Sequence, residues 1–327
     1  MDHSDYFVFE DGVLKEYNVN TQIIIPEGVR EIGDGAFAGY CNIVSVTLPE
    51  GLERIGRDAF RCCCRLKSIN IPKSVKEIGE TAFEDCCALS AITQPAEDAV
   101  LGDSSFVGCD ALTDKNGFLI VGNVLYGYYG ADEHVVVPRG IKKIGADAFS
   151  KPDKDFLKTV VLPDGLEEIG RDAFIACTNL TFVSIPDTVI RIGEAAFFCC
   201  SSLTDISLPE SVKNIEDEAF LQCERLADEN GFIIIDGILF EYIGGLSEVI
   251  VPDGVTRISR FAFHDNELLR VTLPEGVKSI GRDAFSDCGN LECVDLPKGE
   301  IIIEKEAFRH CDRLIKPKQK KNKGKDL

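Results

Sequence analysis

Residues 48–60 read LPEGLERIGRDAF, and variants of this stretch recur along most of the chain. Each variant has a proline followed eleven residues later by a phenylalanine. The eleven pairs are Pro26/Phe37, Pro49/Phe60, Pro72/Phe83, Pro95/Phe106, Pro138/Phe149, Pro163/Phe174, Pro186/Phe197, Pro209/Phe220, Pro252/Phe263, Pro274/Phe285 and Pro297/Phe308. Successive phenylalanines lie 23 residues apart in most steps, 22 and 25 apart in two steps, and 43 apart in two more. Because a fixed short period is typical of stacked repeats, we predict a solenoid of eleven repeats.

The composition agrees with one folded repeat domain. A chain of 327 residues would ordinarily suggest two globular domains, but stacked repeats bury a continuous core at any length. The apolar fraction of 45% excludes a disordered chain. We therefore predict a single solenoid over residues 1–314.

The residues before each proline alternate between apolar and polar types. Val46, Thr47 and Leu48 are one example, and residues 69–71 are another. This alternation predicts a short strand with one buried face, which the following proline ends because it lacks a backbone donor. Further along the repeat, Ala-Phe occurs in ten of the eleven copies, with Ser105-Phe106 as the exception. A small residue beside a large one suits a tight corner in which phenylalanines stack.

A cysteine stands three residues after the phenylalanine in eight repeats. These cysteines are Cys63, Cys86, Cys109, Cys177, Cys200, Cys223, Cys288 and Cys311. Zinc requires pairs such as C-x₂-C, whereas the clusters in this chain are runs of adjacent cysteines, so we expect no metal. We interpret the eight as buried thiols that act as small hydrophobes and weak donors to the loop backbone. Stacked coils about 4.8 Å apart would permit disulfides, and the missing secretory signal favours reduced thiols.

The stretches 48–63, 185–200 and 273–288 read LPEGLERIGRDAFRCC, IPDTVIRIGEAAFFCC and LPEGVKSIGRDAFSDC. They resemble the 23-residue leucine-rich repeats of the BspA-like family, and the resemblance covers residues 23–314. It implies an α/β repeat solenoid of the leucine-rich-repeat type, with a parallel sheet on one face and short turns or 3₁₀ segments on the other. Many members of that family are surface or secreted proteins that bind host or matrix proteins, so the resemblance implies recognition without chemistry.

Three stretches outside the repeats predict β-hairpins. Each has a phenylalanine ten residues before a tyrosine, with a turn dipeptide such as Asp11-Gly12 or Asp236-Gly237 between them. The predicted order is hairpin 4–17, repeats 23–112, hairpin 116–128, repeats 135–226, hairpin 230–242, repeats 249–314 and a basic disordered tail over 315–327. The fourth repeat is defective, because Gln94 and Asp98 occupy apolar positions, and we expect the solenoid to be irregular there.

The charge excludes some partners. The formal net charge is −20, and residues 315–327 contain six lysines and one aspartate, so the rest of the chain carries −25. An acidic body repels phosphate backbones, so we expect no nucleic-acid partner. No stretch approaches 18 apolar residues, so we expect no membrane insertion. The first residues lack a secretory signal, which places the chain in the cytoplasm as written, or at the cell surface if it is truncated or exported unconventionally.

Catalytic residues are not evident in the sequence. The four histidines, at positions 3, 134, 264 and 310, do not lie at metal or triad spacing from another candidate, and His310 beside Cys311 is the nearest approach to a catalytic pair. No phosphate-binding glycine loop occurs in its required context. We expect no enzymatic activity and no cofactor.

Two surfaces are candidates for binding a protein partner of unknown identity. On the strand face the candidates are Thr47, Asn70, Phe182, Ser184, Asp205, Ser207, Thr272 and Asp295, which should point outward between buried positions. On the second hairpin they are Tyr126, Tyr128 and Tyr129, because aromatic residues are favoured interface anchors; packing of the hairpin against the solenoid is the alternative. We predict a non-enzymatic protein-binding scaffold. The alternative is a cell-surface adhesin for host or matrix proteins.

Overall fold

Short β-strands joined by tight turns make up every repeat. The computed structural model describes residues 7–10, 13–17, 21–150, 156–315 and 318–319. We number the repeats 1 to 11 by their phenylalanines, from Phe37 to Phe308.

The strands fall into three blocks, each of which begins with a hairpin. The first block contains β1 (Phe7–Glu10), β2 (Val13–Tyr17), β3 (Gln22–Ile24), β4 (Glu31–Ile32), β5 (Ser45–Thr47), β6 (Arg54–Ile55), β7 (Ser68–Asn70), β8 (Glu77–Ile78), β9 (Ala91–Ile92) and β10 (Val100–Leu101). The second contains β11 (Phe118–Val121), β12 (Val124–Tyr128), β13 (His134–Val136), β14 (Lys143–Ile144), β15 (Thr159–Val161), β16 (Glu168–Ile169), β17 (Phe182–Ser184), β18 (Arg191–Ile192) and β19 (Asn214–Ile215). The third contains β20 (Phe232–Ile235), β21 (Ile238–Tyr242), β22 (Glu248–Ile250), β23 (Arg257–Ile258), β24 (Arg270–Thr272), β25 (Ser279–Ile280), β26 (Cys293–Leu296), β27 (Ile302–Ile303) and β28 (Lys318–Gln319).

Two parallel ladders run through the repeats, where the sequence predicted one sheet. The pre-proline ladder contains the predicted strands, and β5 pairs with β7 so that Val46 lies beside Ile69. The post-proline ladder contains two-residue strands such as β6 and β8, in which Ile55 lies beside Ile78. At most one residue of each such strand is buried, so no alternation reveals it in the sequence.

The α/β assignment is wrong, because the described residues contain no α-helix. Their helical residues are all of the 3₁₀ type: Asp110–Leu112, Glu224–Leu226 and Phe156. The corner of each repeat is a series of i→i+3 turns; in repeat 2 the Cys63 amide donates to the Phe60 carbonyl at 3.1 Å. Asp58 and Cys62 flank Phe60 with φ of 54° and 57°, and left-handed residues interrupt a right-handed helix.

This left-handed conformation recurs two residues before the phenylalanine in ten of the eleven repeats. The residues are Gly35, Asp58, Thr81, Asp147, Asp172, Ala195, Glu218, Phe261, Asp283 and Glu306. Glycine occupies the position once, and aspartate, which tolerates this region better than most residues, occupies it four times. The glycine that follows the post-proline strand has a different role: a Cβ on Gly79 would lie 2.5 Å from the Arg57 amide nitrogen, so the coils approach too closely for a side chain.

The core consists of stacked like residues. The rings of Phe37 and Phe60 stack with centroids 4.9 Å apart and planes 8° apart, and Phe83 continues the column at 5.1 Å. The predicted cysteine ladder runs beside it: Cys63 is fully buried and its Sγ donates to the Phe37 carbonyl at 3.1 Å. The same bond, from the cysteine to the phenylalanine carbonyl of the preceding repeat, recurs at 2.9–3.1 Å for Cys86, Cys109, Cys200, Cys223, Cys288 and Cys311. The cysteines are therefore structural hydrogen-bond donors.

Each hairpin takes the place of a repeat in the post-proline ladder. Phe7, Phe118 and Phe232 pair with Tyr17, Tyr128 and Tyr242 across the three hairpins. The second strand of each hairpin then pairs in parallel with the first post-proline strand of its block, which places Leu125 beside Ile144 and Leu239 beside Ile258. The hairpins contribute nothing to the pre-proline ladder.

The chain divides into two compact units. Unit 1 contains residues 1–132, 136–153 and 163–173, and unit 2 contains residues 133–135, 154–162 and 174–327. The single domain predicted over residues 1–314 stays a prediction. The disordered tail predicted over 315–327 also stays a prediction; within it, Lys318 and Gln319 form β28 and pair with Asp295 and Leu296 of β26. The pre-proline ladder is an open edge there, which an extended segment can join.

Candidate functional site

The outward-facing residues of the pre-proline ladder, which we call the strand face, include seven of the predicted site residues. The eighth, Ser207, lies outside the ladder, because the strand predicted around it is reduced to a single bridge between Asp205 and Phe182. Thr47, Asn70, Phe182, Asp205 and Ser207 are exposed, and Ser184, Thr272 and Asp295 are half-buried. Thr47 and Asn70 belong to unit 1 and the other six to unit 2, so each unit presents its own part of the face.

In unit 1 the strand face is polar with an apolar edge. Thr47 lies in register between Ile24 and Asn70 on neighbouring strands. Thr93 donates its hydroxyl hydrogen to the Asn70 side chain. Ile24 is 66% exposed at the edge strand of this sheet. The arrangement offers hydroxyl and amide groups beside one exposed β-branched side chain.

In unit 2 the strand face has a more apolar centre. Phe182 lies in register between Thr159 and Asp205, and it is 44% exposed. Its diagonal neighbour Val161 is also exposed and lies beside Ser184. Exposed aromatic and β-branched residues on one sheet surface are suited to contact a partner.

Farther along unit 2 the face is charged. Thr272 lies beside Asp295, and the Asp295 carboxylate accepts hydrogen bonds from Thr272 at 3.4 Å and from Arg270 at 2.9 Å. At the edge strand of this sheet, Ile250 is 76% exposed. The strand face of unit 2 therefore combines apolar, hydroxyl and paired charged groups.

The second hairpin does not present the predicted aromatic surface. Tyr126 and Tyr128 are buried and cannot contact a partner in this structure, so their assignment to a binding surface is wrong. Tyr126 packs edge-to-face on Phe106 at 5.5 Å, and Tyr128 contacts Phe149 at 5.7 Å. Tyr129 is half-buried and packs against the core.

The irregular fourth repeat lies beside a cleft that the sequence did not predict. Gln94 is exposed, and its side-chain oxygen accepts a hydrogen bond from the Gly122 amide at 2.7 Å, which ties the repeat to the hairpin turn. The cleft has a volume of about 700 Å³ and is lined by Lys73, Gln94 and Lys142, among others. A similar cleft of about 550 Å³ borders the third hairpin at Asp205 and Ile234. Both clefts lie where the pre-proline ladder is interrupted. In the sequence, the polar residue Gln94 at an apolar position was the one sign of the first interruption.

His310 and Cys311, the nearest approach to a catalytic pair in the sequence, do not form one in the structure. Cys311 donates its thiol hydrogen to the Phe285 carbonyl at 2.9 Å, whereas His310 lies 2.7 Å from Asp287, so the two neighbours face different partners. The hydrogen bond from His310 lowers the pKa of the Asp287 carboxyl. Within the described ranges, no group of three or more His, Cys, Asp or Glu side chains has the arrangement of a metal site. Nor does that part of the chain contain a helix of the length and apolarity that a bilayer requires.

A family model for the BspA-type leucine-rich repeat region matches residues 10–117, 120–231 and 233–322, in six copies. The chain belongs to this family. Members are leucine-rich-repeat scaffolds that typically mediate protein interactions or lie at the cell surface. Among curated proteins, none matches the chain.

Solved structures also resemble this BspA-type chain. A leucine-rich repeat protein from Bacteroides ovatus is 25% identical, with 96% of this chain and 87% of that chain covered and a TM-score of 0.43. The Treponema pallidum leucine-rich repeat protein is 27% identical over 59% of this chain and 83% of its own, with a TM-score of 0.37. A leucine-rich cell surface protein from Faecalibacterium prausnitzii is 24% identical over 94% and 85%, with a TM-score of 0.36.

Proposed function

We propose that this BspA-type protein is a non-enzymatic scaffold that binds a protein partner through its strand face. The observation that supports this most is the exposed pair of Val161 and Phe182 on neighbouring in-register strands of unit 2. Hydroxyl groups of Thr159 and Ser184 border the pair and can form hydrogen bonds at the rim of an interface. Because the ladder fixes the backbone beneath them, little conformational entropy is lost on binding.

The test compares two exposed apolar residues of one repeat. Phe182→Ser removes the aromatic ring from the strand face, and Ile190→Ser changes a residue that is 49% exposed, against 44% for Phe182, but lies outside the pre-proline ladder. Both variants are used as bait in extracts of the source cells, and captured proteins are quantified by mass spectrometry. We expect at least a tenfold loss of one partner with Phe182→Ser alone.

Thermal unfolding of both variants shows whether the fold is kept. Equal capture by both baits and the wild type would remove Phe182 from the site. A partner lost equally with both variants would argue against binding through the strand face.

The alternative is an adhesin at the cell surface. It is supported by the typical surface location of BspA-type proteins. Protease treatment of intact source cells separates the two: an adhesin is cleaved on the intact cell, whereas an internal scaffold is cleaved only after lysis.

A further inference from the structure

A cavity of about 260 Å³ opens in unit 2 beside the third hairpin. We call it the aromatic pocket; its lining includes Phe198, Leu221, Tyr242 and Phe261, with Glu218 and Glu241. Phe198 and Phe261 are partly exposed, so their rings are available to a ligand. The volume suits a single long side chain.

The second hairpin has the same register as the third but carries different residues at two positions. There Gly127 occupies the position of Glu241, and Tyr129 occupies that of Ile243. The Tyr129 ring covers Gly127 so closely that a Cβ on this glycine would lie 2.7 Å from it. In the third hairpin Ile243 is 45% exposed, so no ring covers the equivalent place. The two hairpins therefore differ in the side chains that they place at Glu241 and Ile243.

Phe261 occupies a position where a bulky residue is unfavourable. It has φ of 60°, and the equivalent left-handed positions of the other repeats carry glycine, alanine, threonine, aspartate or glutamate. A large side chain in this region is an outlier that costs free energy, and such outliers concentrate at functional sites. The ring already attracts one cation, since the Arg260 guanidinium carbon lies 4.6 Å from its centroid.

The charge around the pocket is negative and incompletely compensated. Arg260 pairs with Glu218 at 3.0 Å and with Glu194 at 3.5 Å. Glu241 accepts a hydrogen bond from the Gln222 amide at 2.7 Å, but among the described residues no Lys, Arg or His lies within ion-pair distance of it. Burial raises the pKa of this carboxyl, and the hydrogen bond from the Gln222 amide acts in the opposite direction. Such a carboxylate gains most from a cation that enters the pocket.

From this geometry we propose that the aromatic pocket binds an alkylammonium or guanidinium group, presented as a lysine or arginine side chain of the protein partner. The cation would contact the faces of Phe198 and Phe261 and pair with Glu241. This inference rests on the proposed scaffold function, because it assigns an anchor on the partner. The excess of acidic groups in the chain favours the same kind of partner.

The test uses synthetic peptides and the full chain. The probe acetyl-Gly-Gly-Lys-Gly-Gly-amide is compared with its arginine counterpart and with a norleucine counterpart, which keeps the alkyl chain without the charge. Affinities are measured by NMR titration, in which the amide signals of Gln222 and His264 report the site. We expect the charged peptides to bind at least tenfold more tightly than the norleucine peptide.

Matched variants assign the effect to the pocket. Glu241→Gln keeps an acceptor for the Gln222 amide and should weaken binding of the lysine peptide at least tenfold. Glu224→Gln removes the same charge at a nearby position outside the pocket and should change affinity less than twofold. Glu241→Gly combined with Ile243→Tyr copies the second hairpin, closes the pocket and should abolish binding while the melting temperature is kept.

Equal binding of the lysine and norleucine peptides would overturn the proposal, and so would unchanged binding by Glu241→Gln. Butylammonium, tested alone, should bind more weakly than the lysine peptide; equal affinity would assign the pocket to a free small amine and overturn the partner assignment. If no peptide binds while Phe182→Ser still abolishes partner capture, the pocket proposal fails and the scaffold function stands.

Discussion

The exception in the Ala-Phe pattern leads to a quantitative prediction. Ser105 replaces the usual alanine, and its fully buried hydroxyl lies 2.8 Å from the Tyr126 hydroxyl, which also donates to the Gly102 carbonyl at 3.0 Å. At the third hairpin the same two positions carry Ala219 and Phe240, which are both buried and apolar. The same buried space is therefore filled by a polar pair at the second hairpin and by an apolar pair at the third.

A double-mutant cycle tests whether the polar pair acts as a unit. Ser105→Ala leaves the Tyr126 hydroxyl with its Gly102 acceptor, so we expect a loss of about 1 kcal/mol in the free energy of unfolding. Tyr126→Phe leaves the Ser105 hydroxyl buried without that partner, and we expect a loss of about 1–2 kcal/mol. The double variant recreates the Ala219 and Phe240 combination and should lose less than about 1 kcal/mol, which gives a coupling of about 1–2 kcal/mol.

The assay is urea denaturation of the four proteins, followed by circular dichroism at equal protein concentration. Ala219→Ser serves as a control at the third hairpin, where a new hydroxyl would face Phe240 and should cost about 1–2 kcal/mol. Additive losses, with the double variant as unstable as the sum of the single ones, would refute the reasoning. A stable Ala219→Ser variant would show that these corners admit water.

Three further predictions concern the stacked core and its corners. Phe60→Ala should lower the free energy of unfolding by about 3–5 kcal/mol, because the fully buried ring stacks on both sides. Phe308→Ala, at the half-buried end of the column, should lower it less in the same denaturation assay, and equal losses would contradict the stacking account. Ala176 has a left-handed φ of 55°, so Ala176→Gly should relieve strain and raise the free energy of unfolding by about 0.5–1 kcal/mol. The control Ala91→Gly, in an exposed strand position, should lower it. A loss of stability in both variants would exclude relief of left-handed strain. Burial raises the pKa of the Cys288 thiol to about 12, so the seven buried ladder cysteines should react with a thiol reagent at pH 8 only on unfolding, after the three exposed cysteines. Fast reaction of all fourteen cysteines in the native protein would contradict this.

The regular parts of the structure were predictable, because each depends on a local rule that is repeated many times. Proline ends the strand after Leu48, and the alternation of Val46 and Thr47 identifies the buried side of that strand. The burial of the cysteine ladder followed in the same way from the period for seven of the eight cysteines; Cys311, in the last repeat, is half-buried. In each case, the role of a position in one repeat can be inferred from the residues at the equivalent positions of the other repeats.

The post-proline ladder and the left-handed corners were missed for opposite reasons. A strand such as β6 has one buried residue, Ile55, and offers no alternation to detect. The corners did leave a signal, because aspartate recurs two residues before the phenylalanine, at Asp58 and Asp147 for example. The incorrect α/β assignment came from the resemblance to leucine-rich repeats and not from the residues of these corners.

The burial of Tyr126 and Tyr128 could not be inferred from the hairpin sequence alone. A hairpin exposes or buries its aromatic residues according to what it packs against, and in this chain the second strand joins the post-proline ladder and directs both rings into the core. The pairing of this strand with the ladder also decides which hairpin positions face away from the core and can differ between hairpins.

Those free positions are where recognition is expected. Within the repeats, each buried residue must match the like residue above and below it, so a change at one coil disturbs two interfaces. At a hairpin this requirement is relaxed: the Tyr129 ring lies over Gly127 in the second hairpin, whereas Glu241 lines a pocket in the third. Phe261, placed against its backbone preference, faces that space. The interruptions of the repeat can therefore acquire binding chemistry at little cost to the stacked core, whereas the coils themselves supply the rigid support.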